Sequence, residues 1–156
     1  MLPSATCDLI LLMNVATVIE TRPEQAGQGH SLERINPNSN VFLMVPPQIK
    51  ILDNGQTVHT LAYEMNEQER LVPVAKVVTT TCEKTVEGEA SFPIPWIGGT
   101  INDIEIDHKW VDGYLWHKPI FRELRTRRTQ RKIARGVLTH LGVDRKRAKE
   151  ISSQTF

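Results

Sequence analysis

The hydrophobic pattern of this chain changes character once, and that change limits the folds open to it. Up to position 116, segments rich in Val, Ile and Thr alternate with turn residues; after Pro119, Ile133, Val137, Leu138 and Leu141 recur at spacings of four, one and three. Strand-like segments with tight turns build antiparallel sheets, whereas a three-to-four spacing makes one apolar stripe on a helix. The expected fold is mainly β with a C-terminal α part. Residues 1–116 are read as an antiparallel β-domain, a small barrel or sandwich, and 117–156 as a basic helical hairpin or tail. A chain of 156 residues is one domain with or without an appendage, and at this size roughly two-thirds of the unfolded surface can be buried.

Strands are expected near Asp8–Met13, Ala16–Glu20, Val41–Val45, Gln48–Asp53, Gln56–Tyr63, Leu71–Thr81, Thr85–Phe92, Thr100–Ile106 and Lys109–Trp116. Three glycine-containing pairs read as turns between them: Asn54-Gly55, Asp112-Gly113 and Gly98-Gly99. A two-residue turn needs positive φ, which Asn-Gly and Asp-Gly tolerate. Such a turn at Asn54-Gly55 sets Ile51 opposite Val58 and leaves Ile49, Ile51 and Val58 on one half-buried face; the turn at Asp112-Gly113 sets Trp110 opposite Leu115. The prolines at 46, 47, 73, 93 and 95 are expected at strand ends or edges, because proline donates nothing to a ladder. Residues 21–40 are polar and rich in Gly, Pro and Asn, and read as a long loop that is mobile without a partner. The helical stripe calls for a helix starting near Thr126 or Thr129, ending at Gly142, followed by a second over Arg145–Ile151 capped by Asp144.

The net charge of +1 hides a partition. Residues 1–115 carry seven Lys/Arg against fifteen Asp/Glu, net −8; residues 116–156 carry twelve against three, net +9. Arg122, Arg125, Arg127, Arg128, Arg131, Lys132 and Arg135 crowd fourteen positions, and Arg145, Lys146, Arg147 and Lys149 follow. Such a density repels itself unless anions lie nearby, so these eleven residues are candidate contacts to nucleic acid or to an acidic protein surface. The stretch from Leu141 to Ile151 also resembles the second half of a helix-hairpin-helix motif through Gly142, Val143, Ala148 and Ile151. In that family a Gly-hydrophobic-Gly turn offers backbone N–H groups to a phosphate. Asp144 stands where the second glycine belongs, so the resemblance leaves any binding to the flanking Arg and Lys.

Six of the nine aromatic residues fall between Phe92 and Phe121; among them Trp96, Trp110 and Trp116 are candidate interface anchors. Asp103, Glu105 and Asp107 alternate with Ile104 and Ile106, so on a strand the carboxylates share a face and the isoleucines enter the core. Three carboxylates together can hold Mg²⁺, and Asp107-His108-Lys109 has an acid-x-Lys spacing that some metal nucleases use; the polar face of an ordinary strand is the competing and preferred reading.

Cys7 and Cys82 fit no metal or redox spacing and read as two thiols of a reducing compartment. The longest apolar run, Leu9–Ile19, is short of a membrane span, and no Lys or Arg precedes it as in a signal peptide. No phosphate loop, nucleophile elbow or zinc-protease motif occurs, so no catalytic residue and no cofactor is assigned. The functional expectation is a non-enzymatic structural or adaptor subunit of a larger assembly, of virion, phage-particle or ribonucleoprotein type, whose basic segment contacts nucleic acid. Its expected setting is the cytoplasm or a virus-like particle, without a membrane partner. The alternatives are a homo-oligomer whose basic segment docks on the acidic body of a neighbour, and a metal-dependent nuclease.

Overall fold

A computed structural model of the chain describes residues 29–85, 91–111 and 119–156. Six strands form one antiparallel sheet in simple sequence order: β1 (Ser31–Arg34), β2 (Val41–Ile51), β3 (Thr57–Met65), β4 (Leu71–Thr85), β5 (Ser91–Ile101) and β6 (Ile104–Trp110). Two helices follow, α1 (Pro119–His140) and α2 (Arg145–Thr155). The mainly β architecture with a C-terminal helical pair is as the sequence implies. Among the described residues the sheet stays open, with β1 and β6 as its outer strands. The strands expected at Asp8–Met13 and Ala16–Glu20, and the Asp112-Gly113 turn with its Trp110–Leu115 pair, lie outside the described residues.

Both helices pack on one face of the sheet. Ile133, Ala134, Val137 and Leu138 of α1, and Ala148 and Ile151 of α2, share a buried cluster with Leu43, Leu61, Ala62, Ala75, Val77 and Ile97 of the strands. The second face carries two further clusters: Val58, Val78 and Trp96 at one end, and Met44, Tyr63 and Leu71 at the other. Helix segment and sheet therefore share one hydrophobic core.

The glycine pair at 98–99 is not a turn. Both residues lie inside β5, paired with His108 and Asp107 of β6. A Cβ at Gly99 would stand 2.5 Å from Val137 Cγ2 and 3.0 Å from Ile133 Cγ2, so the missing side chain is what lets α1 sit down on the sheet. The turn between β5 and β6 is Asn102-Asp103, with φ of 52° and 62°, the doubly positive combination a type I′ turn requires. Asn and Asp reach that region more readily than other non-glycine residues.

Three other expectations are corrected. The Asn54-Gly55 hairpin has three loop residues rather than two: Ile51 pairs with Thr57, and the Leu52 N–H donates to the Gln56 carbonyl at 2.8 Å. The one-residue slip separates Ile49 and Ile51 from buried Val58 and leaves them 61% and 73% exposed. The polar stretch 21–40 contains β1, held by its ladder to Phe42–Val45, so its described end is ordered structure. Val41–Val45 and Gln48–Asp53 merge into β2, whose register against β3 shifts between Leu43 and Gln48, where Pro46 and Pro47 supply no donors. Pro73, Pro93 and Pro95 lie inside strands of the sheet interior; Pro73 precedes the β4–β5 ladder, and the other two precede the described part of the β5–β6 ladder.

Cys82, on β4, is disulfide-bonded, which replaces the expectation of two thiols; Cys7, the only other cysteine, lies outside the described residues. Separation along the chain is no bar to a bridge, because only the folded Cα distance decides it.

Under the helices His59 is 7% exposed, its ring 4.7 Å from that of Phe156, and its Nδ1 has no hydrogen-bond partner among the described residues. Burial lowers its pKa from 6.5 to about 4. The fold holds this imidazole neutral, so its contribution to stability is complete above the unfolded value and is lost as pH falls through the folded one. Urea denaturation should lose on the order of 2 kcal/mol through His59 between pH 6.5 and pH 4, and His59→Leu should remove that part of the pH dependence. Gly99→Val should destabilise the fold by roughly 2 kcal/mol at neutral pH, read from the same titrations, because neither Val137 nor Ile133 has space to retreat.

Candidate nucleic-acid interface

Helix α1 begins at Pro119, well before the expected caps. Proline suits a first helical position because its missing N–H is unneeded there. Thr126 and Thr129 instead turn their hydroxyls back to the carbonyls of Arg122 and Arg125, at 2.8 and 2.9 Å. The helix buries Gln130, Ile133, Ala134, Val137 and Leu138 against the sheet. At 3.6 residues per turn, that face commits Arg125, Arg128, Lys132 and Arg135 to the exposed side. Gly142, at φ 97°, ends α1 with the expected geometry: the Val143 N–H reaches the Leu138 carbonyl and the Gly142 N–H the Thr139 carbonyl, both at 3.0 Å. Asp144 caps α2 by accepting the Lys146 N–H at 3.1 Å. The turn that resembles a helix-hairpin-helix thus uses its N–H groups and its carboxylate on its own helices. The flanking cations are what remains for a ligand.

Those cations converge. One concavity of about 250 Å³ is lined by Lys109, Arg125, Arg128 and Lys132, with Trp110 and Thr129 beside them. A second, of about 780 Å³, lies between α1 and α2 and is lined by Lys132, Arg135, His140, Arg145 and Lys149, with Gly136 and Thr139. Lys132 belongs to both, so the two form one strip with seven Lys and Arg side chains and, among the described residues, no carboxylate on its walls.

The eleven basic candidates therefore divide. Arg125, Arg128, Lys132, Arg135, Arg145 and Lys149 line the strip. Arg127 pairs with Glu123 at 2.6 Å and Arg131 donates to the Phe156 carbonyl at 2.9 Å. Arg147 grips Glu33 of β1 through two nitrogens, at 2.6 and 3.2 Å, and reaches Glu150 at 3.2 Å. The hydrogen bonds to Glu33 raise its already high pKa further, fixing its charge on β1. Arg122 and Lys146 line neither concavity. Lys109 and His140 were not expected: Lys109 is an isolated cation in the acidic half of the sequence and joins the strip only because β6 lies beside α1.

The remaining candidates lie elsewhere. Trp96 is fully buried on the second face of the sheet, stacked on His108 at 5.5 Å, which places it in the core rather than on a contact surface. Trp110 pairs with Trp96 across the β5–β6 ladder, half-buried at the edge of the strip; Trp116 lies outside the described residues.

The acidic strand face does not form either. Asp103 occupies the type I′ turn and pairs with the Lys76 amine at 2.9 Å, while Glu105 lies 3.1 Å from His108 Nδ1. Ile104 is 68% exposed and only Ile106 packs against the core, since the register slips between Gly99 and Thr100. Among the described residues no group of three or more His, Cys, Asp or Glu converges on a metal position. No helix among them is long and apolar enough to cross a membrane. Comparison with protein-family models, curated proteins and solved structures finds no match to this chain.

Proposed function

We propose that this chain is a non-enzymatic nucleic-acid-binding subunit of a larger assembly, and that the strip across α1, α2 and Lys109 is where it meets the phosphate backbone. The observation that carries the reading is the strip itself: seven cations on two joined concavities with no carboxylate among the described residues that line them. Holding such charges side by side is unfavourable in a free protein, and a row of phosphates relieves it. Glu123 pairs with Arg127, and Glu33 and Glu150 pair with Arg147, none of which lines the strip. Ile49 and Ile51, exposed on the part of β2 that runs past the end of β1, support the assembly half of the reading, because they offer apolar contact to a protein neighbour.

Fluorescence anisotropy with labelled duplex DNA, duplex RNA and single strands, each across a salt series, tests it. Binding to duplex DNA should weaken steeply with salt, with a log–log slope between about −3 and −6. Lys132→Gln should flatten that slope by about 1, whereas Lys50→Gln, which removes an exposed cation of β2 away from the strip, should leave it unchanged. Absence of binding to every nucleic acid at low salt would overturn the reading.

A further inference from the structure

Gly136 is at odds with its surroundings. It sits inside α1, exposed, with an ordinary helical φ, where glycine is among the least favourable residues. Gly99 explains itself, because a Cβ there would strike α1. A Cβ at Gly136 would meet nothing among the described residues within 4 Å. Among those residues no turn or packing contact requires the glycine.

Its position gives it a use. Lys132, Gly136 and His140 follow one another at four-residue intervals along α1, so they form one stripe of the helix. That stripe is one wall of the larger concavity, and Arg145 and Lys149 of α2, also four apart, are the other. Between the cations the groove therefore contains a length of bare helix backbone, with the Thr139 hydroxyl near it. Glycine in such a place marks close approach of another molecule's backbone.

We infer that the groove between α1 and α2 is the seat of the nucleic-acid backbone, and that Gly136 sets how deeply a phosphodiester enters it. This rests on the nucleic-acid reading above and makes a separate claim. The cations attract the strand, and the absent side chain lets sugar and phosphate reach Lys132, Arg135, Arg145 and Lys149 at once. A side chain at 136 lifts the strand away from the far wall without altering any charge.

The test uses the full chain, the labelled duplex and single-stranded probes, and thermal melting of each variant. Gly136→Ala should melt higher than the wild type, by roughly 2–4 °C, and bind more weakly. Gly136→Leu should bind at least about tenfold more weakly, as expected when a fitted contact is overfilled. Gln154→Leu, which places the same apolar side chain at an exposed position of α2 outside the groove, should bind as the wild type does. Should Gly136→Leu fail to fold, the Ala variant decides: greater stability with unchanged affinity contradicts the inference. If both Gly136 variants bind normally while Lys132→Gln does not, the cations act from outside the groove and the inference fails while the proposed function stands. A wild type that binds poly-glutamate but no nucleic acid overturns both.

Discussion

The seating of α1 on the sheet at Gly99 is the constraint from which the rest follows. Val137 and Ile133 fill the space where a β5 side chain would project, which fixes both how close the helix lies and how it is rotated about its axis. Once that apolar stripe is committed inward, helical geometry turns Arg125, Arg128, Lys132 and Arg135 outward, and β6 brings Lys109 alongside them. The Schellman turn at Gly142 then folds α2 back so that Arg145 and Lys149 face the same groove. One backbone contact thereby organises a surface that spans a strand and two helices.

Charge is arranged around that frame on two principles. Basic residues on the flanks of the helices are paired within the chain: Arg127 with Glu123, Arg131 with the Phe156 carbonyl, Arg147 with Glu33 and Glu150. These pairs are partly exposed and each contributes modestly to stability. Their larger consequence is positional, since Arg147 ties α2 to β1 and holds one wall of the groove in place. Along the strip no carboxylate intervenes among the described residues. The near-neutral total of the chain thus conceals a folded surface of one sign.

Legibility in the sequence followed how local the deciding interaction is. The apolar stripe of α1, the Gly142 stop, the Asp144 cap and β3 and β4 could be read because spacing and cap chemistry act within a few residues; the strand expected at Thr100–Ile106 instead spans the turn between β5 and β6. Strand β1 could not, because Ser31–Arg34 has one apolar residue, Leu32, and owes its conformation to the β2 ladder and to Glu33 meeting Arg147. Gly98-Gly99 and Asn102-Asp103 were exchanged as turn sites, since a glycine pair looks the same in a hairpin and beneath a helix. The basic cluster was visible as a cluster, but its division into members that line the strip and members that do not depends on contacts up to 114 positions apart. Lys109 was marked only by its spacing from Asp107 and Gly136 by nothing, because the place of each in the strip depends on what stands across the groove or beside it.

The central claim is that one continuous surface, running from Lys109 through Lys132 to Lys149, receives the phosphate backbone. Amine-reactive footprinting read by mass spectrometry, with and without saturating duplex DNA at low salt, addresses it directly. Lys109, Lys132 and Lys149 should be protected together, and exposed Lys50, on β2 and away from the strip, should keep its reactivity. Uniform protection that includes Lys50, or protection that spares Lys109 and Lys132, would contradict the account.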